Sequence, residues 1–154
     1  MIKIDSRDRA ILRLLQEDAT LTIQQIADRV GLSPNPCWRR IKALEDGGVI
    51  AKRAAIINPK AVGLRLTAFV TIRTAVHSAD WLDRFGRAVA EIPEIVECHR
   101  MSGDVDYLLK VLVTDMEHYD FVYRKLIAKV DHLSDVSSGF SMEPLKIGTP
   151  IEIP

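Results

Sequence analysis

The spacing of apolar residues changes partway along this chain, and that change limits the possible folds more than any other feature. Up to about residue 48 they recur three and four positions apart. From Leu66 onward, stretches that alternate every second residue are interleaved with further helical ones. Such a chain joins a small helical module to a mixed α/β one, and 154 residues are enough for both.

The helical part is well punctuated. Asp5 is placed to cap IDSRDRAILRLLQEDA, in which Ala10, Ile11, Leu14 and Leu15 share one face. In LTIQQIADRVG, Thr22 and Gln25 have capping-box spacing and Gly31 is a natural stop. Ile23, Ile26, Ala27 and Val30 form its apolar stripe. A third helix opens at Ser33, with Pro34 in the first helical position, and ends at Gly47–Gly48. The run VIAKRAAIINP predicts a two-stranded wing with Lys52 and Arg53 at or near its turn.

The remainder reads β-α-β-β-α-β, the ferredoxin-like order. Strands are predicted at LTAFVTIRT (66–74), IVECHRM (95–101), YLLKVLV (107–113) and VSSGFSME (136–143). Helices are predicted over 78–92, closed by Pro93, and over 115–130. The chain therefore divides into a winged helix-turn-helix (1–57), a linker (58–63) and an α+β domain (64–154). Two helices cover one face of a four-stranded sheet. Here the other face carries Thr67, Phe69, Thr71, Leu108 and Leu112, which is apolar enough to imply a partner and dimerisation through the sheet.

Charge is balanced overall but not along the chain. Residues 1–60 carry 11 Lys or Arg against 7 Asp or Glu, and residues 61–154 carry 10 against 14. A basic segment on an acidic body leans toward a nucleic-acid partner for the former. Cys37 and Cys98 stand far apart with no CxxC, and His77, His99, His118 and His132 have no metal-ligand spacing. No metal or cofactor is expected. The absence of a secretory start and of a long apolar run fits a reducing cytoplasm and no membrane.

The stretch GLSPNPCWRRIKALE admits three readings: a Pro-x-Pro ligand, a reactive thiol beside arginines, or a basic helix. Helical spacing favours the third. Cys37, Ile41 and Leu44 fall on one face, which an extended ligand would not need, and Cys37 is then a core residue without a base beside it. Asn35, Trp38, Arg39 and Lys42 fall on the other face, with Arg40 on the flank. Amide, aromatic and guanidinium groups on a capped second helix after a Gly turn are suited to base edges and phosphates in a major groove of double-stranded DNA. Ser33, Lys52 and Arg53 join them as candidate DNA-binding residues.

The same residues resemble the Lrp/AsnC family of transcription regulators. IADRVGLSPNPCWRRIKALEDGGVI is similar to the family's DNA-binding signature, and ECHRMSGDVDYLLKV resembles its second signature. The resemblance implies a winged helix-turn-helix joined to a ferredoxin-like ligand-sensing domain. It also implies dimers through the sheet, assembly into tetramers or octamers, and an amino acid or related metabolite as effector. Carried over, Met101, Ser102, Gly103, Asp104 and Asp106 are the effector-binding candidates, with Ser134, Ser137 and Ser138 from the last strand region. The loop chemistry is compatible: N–H groups around Gly103 suit a carboxylate, and Asp104 or Asp106 suits an ammonium. A plain polar hairpin would use the same residue types.

Two other functions fit the architecture. One is a siroheme-decarboxylase-like subunit, in which His99 would approach a tetrapyrrole. The other is a less specific protein that wraps DNA. The scattered histidines argue against the first, and the protein is expected not to be an enzyme.

Overall fold

The computed structural model describes residues 3–148 and 150–154. It divides into two compact units, Met1–Ile56 with Lys146–Pro154, and Ile57–Leu145. The last residues, expected with the α+β domain, thus pack with the helical unit instead. Their isoleucines Ile151 and Ile153 have no place in the βαββαβ pattern, and Ile153 packs against the helical core.

The helical unit comprises α1 (Ser6–Glu17), α2 (Ile23–Val30) and α3 (Pro34–Asp46). Reciprocal capping boxes start the first two, Asp5 with Asp8 and Thr22 with Gln25. Gly31 ends α2 at φ 65°, a left-handed conformation that glycine adopts without a Cβ penalty. Its turn is closed by the Leu32 N–H, which donates to Ala27 O at 2.9 Å, and by Arg7, whose guanidinium donates to Val30 O. Ile11, Leu12, Ile26, Ala27, Val30, Cys37, Ile41 and Leu44 form the core.

Two expectations about this unit change. Ser33 occupies the cap position of α3 but makes no side-chain cap hydrogen bond. A capping hydroxyl normally accepts from the second or third helical N–H, and the third residue here is Pro36, which has none. The two-stranded wing is not formed either. Val49 and Ile50 turn back, both N–H groups donating to Leu44 O, and the exposed segment Ala51–Asn58 contains no strand. A ladder needs a second strand in reach, and none pairs with this segment among the described residues.

The second unit contains β1 (Leu66–Thr74), α4 (Ala79–Ala90), β2 (Ile95–Arg100), β3 (Tyr107–Val113), α5 (Met116–Lys129) and β4 (Leu133–Phe140). The sheet is antiparallel in the order β2-β3-β1-β4, the ferredoxin-like arrangement. Ala68, Val70, Ile72, Tyr107, Leu109, Val111 and Val113 are buried and share a core with α4 and α5. Trp81 stacks on Phe85 at 5.1 Å between centroids, and its indole N–H donates to Asp131 O at 2.9 Å. The last strand begins at Leu133, not at residue 136 as predicted. It pairs with β1 from Thr74↔Leu133 to Ala68↔Phe140, across a bulge at Arg73/Thr74 that breaks the alternation read from the sequence.

Candidate nucleic-acid interface and effector loop

On α3 the buried face is Cys37, Ile41 and Leu44, and burial raises the Cys37 thiol pKa. That thiol is fully covered, which excludes an accessible nucleophile. Asn35, Trp38, Arg39 and Lys42 are all exposed, and 55% of the Trp38 surface meets solvent. One exposed indole is ordinary by itself, but this one shares its helix face with Asn35, Arg39 and Lys42. Arg39 makes no ion pair among the described residues. Lys42 Nζ lies 2.9 Å from Asp46 Oδ1, which raises its pKa and keeps it cationic. Ser33 is exposed at the start of the helix.

The remaining basic candidates separate. Arg40 is held away from the outward face, with Nη1 2.7 Å from Asp5 Oδ2 and 2.8 Å from Asp8 Oδ1. The sequence placed it on the flank without the acids that claim it. Arg53 Nη2 is 2.9 Å from Glu45 Oε1, while Lys52 is exposed. The arrangement offers an amide, an indole and two cations on one side of a helix whose other side is anchored.

The loop between β2 and β3 is the second candidate. Gly103 adopts φ 118° with open space where a Cβ would stand, and Met101, Ser102, Gly103 and Asp104 are exposed. Asp106 ties the loop to β1: its N–H donates to Ile72 O at 2.9 Å, and its Oδ2 accepts from the Thr74 N–H at 2.8 Å. The Met101 N–H closes the loop on Asp106 O at 2.8 Å. Asp104 is therefore the freer carboxylate. His77, to which no role was assigned from the sequence, has its Nδ1 3.9 Å from Asp106 Oδ1. Its place just before Ser78, the α4 cap, was the available signal.

The three serines of β4 lie in different surroundings. Ser134 lies at the bulged start of the strand, at the end of the sheet where β1 meets Asp106. Ser137 pairs with Thr71, whose hydroxyl donates to Ser137 O at 3.4 Å. Ser138 faces the helices and its hydroxyl is bonded to that of Tyr119.

The side of the sheet away from the helices carries Phe69, 42% exposed, between Lys110 on β3 and Gly139 on β4. Lys110 Nζ meets Glu97 Oε1 at 2.8 Å there, and His99 Nε2 stands 3.5 Å from Glu97 Oε2. Among the described residues no cluster of His, Cys, Asp and Glu could hold a metal, and no helix is long and apolar enough to cross a membrane.

A helix-turn-helix with a basic outward face, followed by a ferredoxin-like domain, is the architecture of a two-domain DNA-binding protein. Residues 4–51 match a winged helix-turn-helix DNA-binding family, and residues 67–151 match the Lrp/AsnC ligand binding domain. The chain belongs to the Lrp/AsnC family of transcription regulators. It is 49% identical over 152 residues to the glutamate uptake regulatory protein of Zymomonas mobilis, covering 99% of this chain and 92% of that one. It is 46% identical over 150 residues to the DNA-binding transcriptional activator DecR of Escherichia coli, covering 97% and 99%. An AsnC family transcriptional regulator from Agrobacterium tumefaciens superposes with TM-score 0.90 at 53% identity, covering 97% of this chain and 96% of that one. A Neisseria meningitidis transcriptional regulator solved as its L-Met complex superposes with TM-score 0.89 at 33% identity, covering 99% and 97%.

Proposed function

We propose that this protein is a sequence-specific DNA-binding regulator whose activity responds to an amino acid or related metabolite, and that it works as a homodimer or a higher assembly of dimers. The observation that carries the reading is the division of α3 into a buried Cys37–Ile41–Leu44 face and an exposed Asn35–Trp38–Arg39–Lys42 face. Arg39 and Asn35 have the donor geometry for guanine and adenine edges, and Trp38 offers apolar contact area. Ser33, Lys52 and Arg53 are positioned for phosphates, and Arg53 would leave Glu45 to reach one. Arg40 serves the fold.

The effector reading rests on the loop. Gly103 leaves backbone N–H groups approachable, and Asp104 is an exposed carboxylate for an ammonium. Met101 and Ser102 supply an apolar wall and a hydroxyl, and Asp106 sets the loop's position. Ser134 is better placed than Ser137 or Ser138, whose surroundings are the sheet and Tyr119. That relatives include a glutamate uptake regulator and a protein crystallised with L-Met makes an amino acid the first class to try.

The test pairs two measurements. Genomic fragments selected on the intact protein should bind it, and an Arg39→Ala, Lys42→Ala variant of unchanged oligomeric size should lose them. Undiminished binding would refute the assignment of the face. A thermal-shift screen of the twenty amino acids should give a stabilising hit, because a ligand of the folded state raises apparent stability. Asp104→Ala should remove that shift, and a full shift in the variant would place the effector elsewhere.

A further inference from the structure

The segment Lys146–Pro154 has no role in the reading above, yet it is held in a specific way. Gln16, near the end of α1, presents its side-chain amide to the backbone of Ile151. The Ile151 N–H donates to Gln16 Oε1 at 2.7 Å, and Gln16 Nε2 donates to Ile151 O at 3.2 Å. One amide side chain thus does what a neighbouring strand would do for this peptide unit. Arg9 Nε donates to Pro154 O at 2.8 Å, fixing the segment at a second point three residues on. Between these points Ile153 packs against the core of the helical unit, while Ile151 and Glu152 remain exposed. A cavity of about 750 Å³ runs beside it, bordered by Ile4, Leu12, Leu15, Val49 and Ile50.

We propose that this groove on the DNA-binding unit is a docking site for the chain's own C-terminal segment. Ile153 is the apolar anchor, and Gln16 and Arg9 fix register. Ile153 turns inward while Ile151, Glu152 and Pro154 stay exposed, so one side chain seats the segment on the groove. Leaving Ile153 in water would expose an isoleucine and the Leu12–Leu15 wall together. Docking also has a consequence for connectivity. The chain passes from the helical unit to the other after Ile56 and returns after Leu145. The residues following β4 therefore connect back to the helical unit through non-covalent contacts, in addition to the covalent linker. The docking does not depend on what that unit binds.

Hydrogen exchange of the intact protein tests it, against a chain stopped after Leu145 and against full-length Ile153→Asp and Gln16→Ala variants. Peptides covering Leu12–Glu17 and Val49–Arg53 should exchange about tenfold faster in the variants, with the β1–β4 peptides unchanged. Equal exchange in the intact protein and the Ile153→Asp chain would overturn the proposal, whether or not the shortened chain folds. Cysteines introduced as Glu17→Cys and Glu152→Cys in a Cys98→Ser background, joined by a short bismaleimide, distinguish the source of the segment. A cross-linked product of monomer mass is expected. A product of dimer mass would show that the groove takes the segment of a second copy, and would overturn docking by the chain's own end.

Discussion

Arg40 Nη1 stands 2.8 Å from Asp8 Oδ1, and Asp8 is a nearly buried carboxylate in the cap of α1. The same guanidinium nitrogen reaches Asp5 Oδ2 at 2.7 Å. The adjacent arginines of α3 therefore have separate tasks: Arg40 joins α3 to the start of α1, and Arg39 faces solvent.

Removing Arg40 leaves the Asp8 carboxylate, among the described residues, with the Asp5 N–H as its one hydrogen-bond partner in its covered position. Arg40→Ala should cost about 1–3 kcal/mol, the range for stranding a covered acceptor. Arg39→Ala should change stability by less than about 0.5 kcal/mol, as exposed substitutions do. Urea unfolding of the two variants gives the comparison. Equal stability would mean that the Arg40 pair is not formed in solution.

The cap of α1 also predicts an acid response. The Asp8 backbone N–H and then the Arg40 guanidinium lower the Asp5 carboxyl pKa to about 2, from an ordinary 3.8. A pKa depressed on folding adds stability that is fully present above the ordinary value and is lost as pH falls through the folded one. The melting temperature should therefore drop between about pH 4 and 2, and Asp5→Asn, which keeps a capping oxygen but cannot titrate, should flatten that drop. Parallel melting curves for the two proteins across this window would contradict the assignment.

Phe69 tests the sheet as a dimer surface. It is 42% exposed at mid-strand, with Lys110 and Gly139 as its cross-strand neighbours. Phe69→Arg should shift the protein to monomers in sedimentation equilibrium while its circular dichroism is retained, because a cation buried beside Lys110 opposes association. A dimer of unchanged affinity would move the interface off this face.

Much of this molecule could be read from its sequence where residue type and local geometry coincide. Asp5, Thr22 and Gly31 mark helix ends because each supplies a particular oxygen or a left-handed φ. The parity of β1 and β3 followed from strict alternation. The α3 faces followed from helical spacing alone. What could not be read depends on partners distant in sequence. Arg40 finds acids 32 and 35 positions earlier. The bulge opposite Leu133 hid the start of β4, since a bulge breaks the period on which a strand is recognised. Gln16 and Ile151 meet although they stand 135 positions apart, and no local pattern announces that. In the loop, Gly103 and Asp104 were legible as a polar turn, whereas the engagement of Asp106 with Thr74 was not.

On the proposed reading the outward face of α3 meets DNA while Arg40 holds the helix in place. The salt dependence of affinity for a selected fragment tests it most directly. Each phosphate contact releases counterions and contributes about 0.9 to the slope of log affinity against log salt. Arg39→Ala should reduce the slope or, if Arg39 reads a base, lower affinity by about 1–3 kcal/mol at every salt concentration. Arg40→Ala, measured where it remains folded, should leave both slope and affinity close to those of the unaltered protein. An unchanged slope and affinity in Arg39→Ala, with a loss confined to Arg40→Ala, would contradict the account.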